Sequence, residues 1–297
     1  MHDRSVPKTR ALADRLRGGE FIAAPGVYDM ISARIADSMG FPAIYMTGSG
    51  VVASHLGLPD AGIATYTEMV ARAGQIAAGT RTPLIADADT GYGGTVNVRH
   101  TVQGYERAGV AAIQIEDQAF PKKCGHTEGM RLIPLDEMVR KIKVALDSRL
   151  NEDFLVIART DARKADSRDE ALRRLEAFQE AGADILFYEA PASVEEMEEA
   201  ARLLDSPLMA NMVEGGLTPV LTPDRLAAIG FRVAIFPAAG FLAATEALSR
   251  VYRALRDHGS SSAADTALHP FTDFNALMGF QEVIAFEDRF EAPRAGP

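Results

Sequence analysis

A single cysteine, Cys124, rules out an intrachain disulfide, so the thiol either packs as a small hydrophobe or does thiol chemistry. Basic residues are also in short supply: 31 Lys and Arg stand against 41 Asp and Glu, a formal net charge of −10. Such a surface repels phosphate backbones and anionic lipid alike, which removes nucleic acid and membrane from the expected partners. No apolar run approaches the roughly 18 residues of a membrane span. The opening stretch MHDRSVPKTRALADRLRGGE mixes acids and bases around no apolar segment, so neither anchor nor secretory leader is expected and the cytoplasm is the expected location. Low-complexity sequence is confined to the Gly-Ser-Ser-Ser stretch beginning at Gly259. What is present, 297 residues of which 47% are hydrophobic and 24% charged, suffices for a large buried core and excludes disorder as the main state.

Eight short β-rich runs alternate with stretches of helical spacing, a pattern that predicts a parallel sheet with crossover helices. The runs are Phe21–Pro25, Ala43–Thr47, Pro83–Asp89, Ala112–Asp117, Phe154–Thr160, Ile185–Ala190, Pro207–Met212 and Val233–Pro237. Several follow one device, a helix end, a glycine and then the strand: MGFPAI from Met39, AGVAAI from Ala108, AGADI from Ala181 and IGFRVAI from Ile229. Glycine there supplies the positive φ that ends a helix and turns the chain back. Helical spacing also predicts a helix over Pro7–Arg17 beneath the barrel, a long one over Ala239–His258 and a last one over Phe274–Phe290. The expected fold is therefore an α/β, (β/α)₈ TIM barrel, one domain over residues 1–297 that includes a C-terminal helical extension at 259–297. An open doubly wound sheet would show a Gly-rich phosphate loop after an early strand, and GSG at 48–50 is only a weak version of one.

Active sites of such barrels lie at the C-terminal strand ends, and nearly every central strand here delivers carboxylate to that rim. The residues are Asp87 and Asp89, Glu116 and Asp117, Arg159 and Asp161, Glu189, and Asn211 followed by Glu214. Clustered carboxylates repel one another unless a cation sits among them, and oxygen-only donors point to Mg²⁺, or Mn²⁺, rather than zinc. Asp117 and Asp161 read equally well as helix caps. Asp87 and Asp89 alternate about Ala88, which predicts side chains on one face of the strand. A second constellation is PKKCGHTEG at 121–129, where two lysines and a histidine around Cys124 favour the thiolate and gather proton donors and anion ligands. A third is YMTGSG at 45–50, whose small residues expose amides able to cradle a carboxylate, or else form a tight turn.

The segments LPDAG, DADTGYG, EDQ with PKKCGH, IARTDA and ANMVEGG, in this order and at these strand ends, resemble the isocitrate lyase and phosphoenolpyruvate mutase superfamily in its methylisocitrate lyase-like branch. The resemblance runs roughly from Pro25 to Ala244, and KKCGH is its most specific part. It implies Asp87 as the direct Mg²⁺ ligand, with Asp60, Asp89 and Glu116 holding the water shell. Thr47, Gly48, Ser49 and Arg159 would bind the carboxylate of a 2-oxo acid, with Tyr45 beside them. Cys124 would be the general acid in a mobile loop carrying Lys122, Gly125 and His126, and Glu189 and Asn211 a further polar wall. The base is left open between Tyr45 and water held by Glu116. The resemblance also implies a homo-oligomer, a tetramer, whose C-terminal helices can be exchanged between subunits.

One departure bears on substrate. Where methylisocitrate lyases carry an arginine for the extra carboxylate of a tricarboxylic acid, FPAAGFLAA places Leu242, and VEGG at 213–216 also differs. An unpaired buried carboxylate costs several kcal/mol, so a tricarboxylate such as 2-methylisocitrate is disfavoured. The expected activity is Mg²⁺-dependent carbon–carbon cleavage of a 2-hydroxy dicarboxylic acid of the 2-methylmalate or 2,3-dimethylmalate type. Oxaloacetate hydrolysis, a carboxyphosphonoenolpyruvate-type phosphonomutase and a non-catalytic metabolite-binding barrel stand as alternatives.

Overall fold

In the computed structural model, which describes residues 6–125, 127 and 129–290, eight parallel strands close into a barrel in chain order. They are β1 (Ile22–Val27), β2 (Ile44–Met46), β3 (Leu84–Asp87), β4 (Ala112–Glu116), β5 (Leu155–Thr160), β6 (Ile185–Tyr188), β7 (Leu208–Asn211) and β8 (Val233–Phe236). Pairing of β1 with β8, from Ile22 opposite Val233 to Pro25 opposite Phe236, completes the ring. The four turn glycines singled out from the sequence, Gly40, Gly109, Gly182 and Gly230, all have positive φ, between 75° and 122°.

Among the strand boundaries that depart from expectation, two do so for evident local reasons. β1 runs on to Val27 because Gly26 has no side chain: a Cβ there would lie 2.4 Å from the carbonyl oxygen of Pro237 beside it. β3 stops at Asp87, since Asp89 sits at φ +48° in the left-handed region and cannot continue a strand. Strict alternation therefore does not carry Asp89 to the rim; a turn does.

Alternation along the strands sorts the rest into layers. Ile44, Met46, Leu84, Ala86, Ile113 and Ile115 pack with the surrounding helices, while Tyr45, Ile85, Ile157, Phe187, Met209 and Ile235 fill the barrel interior. Burying each such large apolar side chain contributes about 1.5–3 kcal/mol. Two residues further along β3, β5 and β7, and just past the end of β6, come Asp87, Arg159, Asn211 and Glu189, so an apolar plug supports a polar layer. Below the plug, Leu12 and Ala13 of the helix Lys8–Arg17 pack with Ile22, Ala43 and Ala111 at the strand starts.

Two helices were not expected from the sequence, Gly48–Leu56 and the short Ala162–Ala165. The chain divides into two compact units, residues 1–241 and 242–297. In the second, the helix expected over 274–290 is two, Phe271–Leu277 and Phe280–Phe290, interrupted where Gly279 adopts φ +88°. No helix among the described residues is long and apolar enough to cross a membrane.

Candidate active site

The polar layer opens into a cavity of about 110 Å³. It is lined by Tyr45, Thr47, Ser49, Asp60, Asp87, Glu116, Lys122, Cys124, Gly125, Arg159, Glu189 and Asn211, twelve of the candidate site residues from the sequence, together with Lys123. Gly48 and Asp89 stand directly behind this lining. His126 lies outside the described residues.

The acidic side is built around Asp87. Its Oδ1 accepts from the Asp89 amide at 3.0 Å and from Gln114 Nε2 at 3.4 Å, and Gln114 Oε1 in turn accepts from the Tyr45 hydroxyl at 2.6 Å. Gln114, an interior strand residue with no motif around it, escaped the sequence reading. Burial, reinforced by the Asp87 charge, pushes the Tyr45 phenol well above its ordinary pKa, so it stays protonated. Gly48 lies so close to Asp87 that a Cβ would meet Oδ2 at 2.4 Å. Lys122 places its ammonium 2.6 Å from Asp60 Oδ1 and 2.5 Å from Asp89 Oδ1. Burial works against that charge, but Asp89, Glu116, Asp87 and Asp60 outweigh it and hold the lysine protonated. Burial likewise raises Asp89 to about 6, against the pull of Lys122, and lifts Glu116 well above the carboxylate range. Glu116 Oε1 is buried without a hydrogen-bond partner among the described residues.

These features fit a hard divalent cation. Among the described residues the ion pairs of Asp60, Asp89, Glu116, Asp161 and Glu189 run to Lys122 and Arg159, the donors are all oxygen, and Glu116 has an unused acceptor. Among the described residues no three His, Cys, Asp or Glu side chains form a closed ligand set. An ion beside Asp87 would therefore keep much of its water, as Mg²⁺ does.

Across the cavity, Arg159 is fixed by a bidentate pair with Asp161, at 2.7 and 3.1 Å. Its guanidinium lies 5.1 Å from the Phe187 ring centroid, with Glu116 and Glu189 each at 3.6 Å. The cap reading thus fails for Asp161: it stands at the start of Ala162–Ala165 but makes no side-chain cap and instead orients Arg159. Asp117 is structural in another way, accepting from Thr160 Oγ1, the Asp161 amide and Arg174 Nη1 at 2.6, 3.0 and 3.0 Å. Asn211 Nδ2 donates to both Glu189 oxygens at 3.1–3.2 Å. Nearby, the segment 47–50 begins the helix Gly48–Leu56 rather than a tight turn, with Thr47 Oγ1 and Ser49 Oγ 3.2 Å apart at its start. Amides of a first helical turn lack intrahelical acceptors and carry the positive end of the dipole, which suits a carboxylate.

The loop after β4 closes over this layer. The Cys124 amide donates to Asp60 O at 3.1 Å, while Thr127 reaches Cys124 O with its amide and hydroxyl at 2.9 and 2.8 Å. The remaining wall is apolar: Val213, Ile235, Pro237, Ala238 and Phe241, the last standing edge-on to Tyr28 at 6.2 Å. Leu242 is not among the lining residues and is about half exposed. The helix that starts at Ala239 turns successive side chains by roughly 100°, which sends Phe241 and Leu242 in different directions.

Residues 12–256 match the family described as phosphoenolpyruvate phosphomutase. The chain belongs to the PEP mutase/isocitrate lyase superfamily. Within that superfamily it is 46% identical over 275 residues to 2,3-dimethylmalate lyase of Eubacterium barkeri, covering 93% of this chain and 95% of that protein. It is 42% identical to 2-methylisocitrate lyase of Aeropyrum pernix, covering 91% and 87%. Among solved superfamily structures, oxaloacetate acetylhydrolase with 3,3-difluorooxalacetate superposes with a TM-score of 0.89 at 37% identity, covering 98% of this chain and all of that one. Phosphonopyruvate hydrolase with oxalate and Mg²⁺ superposes with a TM-score of 0.85 at 31% identity, covering 96% and 99%.

Proposed function

We propose that the protein is a Mg²⁺-dependent carbon–carbon lyase that cleaves the C2–C3 bond of a 2-hydroxy dicarboxylic acid of the 2-methylmalate or 2,3-dimethylmalate type, yielding pyruvate and a carboxylic acid. The observation that carries the reading is one cavity with three chemically distinct walls: acids with a buried arginine, a loop bearing Cys124 beside Lys122 and Lys123, and an apolar face. Arg159 and the amides that open the helix Gly48–Leu56 bind and orient the C1 carboxylate. Asp87, with Asp60, Asp89 and Glu116 behind water, would hold the cation. When bound, that ion supplies the positive charge that favours ionisation of the C2 hydroxyl. The proton of that hydroxyl passes to water held on the Glu116 side, because the Tyr45 hydroxyl donates to Gln114. As the C2–C3 bond breaks, its electron pair moves onto the departing fragment as an enolate. Lys122 stabilises that charge, as would His126, and Cys124 Sγ delivers the proton to C3. The loop excludes water meanwhile.

The apolar wall accepts the methyl groups of such substrates and offers nothing to a third carboxylate. We expect kcat/KM for 2-methylisocitrate to fall at least about a hundredfold below that for 2,3-dimethylmalate, roughly 3 kcal/mol. Equal or better use of 2-methylisocitrate would show that another cation serves that carboxylate. The direct test of the function is a Mg²⁺-supplemented panel of 2-hydroxy dicarboxylates and oxaloacetate with pyruvate and oxalate as readouts. Oxalate formation alone would favour hydrolysis, the reading that the likeness to oxaloacetate acetylhydrolase supports, and turnover of none would leave a binding protein.

We place the enzyme in the cytoplasm as a homo-oligomer, a tetramer as the resemblance suggests, with residues 1–297 acting as one barrel domain and its helical extension. Supporting assembly, Leu248, Tyr252, Phe271, Phe280, Ile284 and Phe286 of the second compact unit are all about half or more exposed.

A further inference from the structure

The turn that carries Asp89 to the site is held more tightly than its length requires. All five carbonyl oxygens from 87 to 91 accept a hydrogen bond. The Gly91 amide donates to Ala88 O and the Glu116 amide to Asp89 O, both at 2.9 Å. The other three are served by side chains from the two following long helices, Thr95–Arg107 and Leu135–Ser148. Tyr105 hydroxyl donates to Asp87 O at 3.3 Å, Thr101 Oγ1 to Gly91 O at 3.2 Å and Lys141 Nζ to Thr90 O at 3.0 Å. Within the same turn two residues with side chains, Asp89 at φ +48° and Tyr92 at +58°, adopt left-handed backbone. Such conformations are strained and persist only where the surroundings over-determine them.

Lys141 is the costliest of the three tethers. The residue is 3% exposed, and among the described residues no carboxylate lies within ion-pair distance, Glu137 one turn earlier acting on its charge only from further off. An ammonium buried for a single carbonyl is a poor way to stabilise a fold. It is a good way to fix one main-chain position, because a charged donor makes the stronger hydrogen bond.

We infer that Lys141, Thr101 and Tyr105 are positioning residues for the cation: by holding the carbonyls of Thr90, Gly91 and Asp87 they keep the Asp87 and Asp89 carboxylates in register for a divalent ion. The inference rests on the cation site proposed above. Lys8 is the internal control, a half-buried lysine that donates to the carbonyls of Ala77 and Thr80.

The test is direct Mn²⁺ titration of the full-length protein, with bound ion counted by electron paramagnetic resonance and thermal unfolding measured on the same samples. Lys141→Met is expected to raise the Mn²⁺ dissociation constant by about 10–100-fold, the usual cost of losing an outer-shell contact, and kcat is expected to recover when metal is saturating. Lys8→Met should lower the melting temperature and leave Mn²⁺ affinity unchanged. Should Lys141→Met fail to fold, Thr101→Val and Tyr105→Phe, which each remove one donor at little change of volume, carry the same expectation. Unmodified Mn²⁺ affinity in the folded variants, with wild type binding the ion, overturns the positioning role alone. Absence of Mn²⁺ binding by wild type overturns the cation site and this inference with it.

Discussion

Replacing Cys124 by serine is expected to lower turnover by about 10²-fold or more while leaving the melting temperature and Mn²⁺ binding near wild type. The loss is that of a positioned general acid, because a serine hydroxyl is far less acidic than a thiol and cannot protonate a carbanion-like carbon in competition with bond re-formation. The main-chain contacts that seat residue 124, its amide on Asp60 O and its carbonyl under Thr127, remain available to serine, so a merely structural role predicts little change. The measurement is the joint release of pyruvate and carboxylic acid under saturating Mg²⁺. Turnover within a few-fold of wild type would remove the thiol from the mechanism.

Asp87→Ala should abolish activity at any practical Mg²⁺ concentration, whereas Asp89→Ala should shift the metal requirement upward by about 10–100-fold and recover when metal is saturating. The asymmetry follows from geometry. Asp87 stands at the end of β3 on the cavity wall, tied to Gln114, the Asp89 amide and the face of Gly48. Asp89 lies behind it with an oxygen already facing Lys122 at 2.5 Å, so its loss leaves that ammonium with Asp60. Metal titrations of rate, backed by Mn²⁺ binding, separate the two. Equal metal response in both variants would sink the assignment of Asp87 as the direct ligand.

The barrel was legible because its signals repeat: eight apolar runs, each followed by a helix-period segment, and the same glycine turn before four of them. Most of the site was legible because strand ends concentrate unusual residues, and a carboxylate there is visible against Val, Ile and Ala. Where the reading fell short, the deciding contact or helical phase shows only in three dimensions. Gln114 looks like any interior strand residue until Tyr45 and Asp87 flank it. Asp161 looks like a cap because a helix follows, yet Arg159 two residues earlier claims it. The helix Gly48–Leu56 opens with Gly-Ser-Gly, poor helix formers, and forms because Val51 and Val52 find a buried seat. Phe241 and Leu242 differ only in helical phase, which depends on where the helix begins, and strand-to-helix junctions fix that to no better than a residue or two.

Gly125 sets a limit on how this site can diversify. A methyl group there would stand 2.3 Å from Arg159 Nη2 and 2.9 Å from Asp161 Oδ1, so a larger residue would hold the loop ajar and, in the proposed reaction, let bulk solvent compete for the reacting carbon. Substrate range consequently cannot widen from the loop side without losing the chemistry. It can widen at Val213 and Phe241, where shape changes leave the charged half untouched, so new acids are admitted by recutting the apolar wall while the polar half is inherited whole.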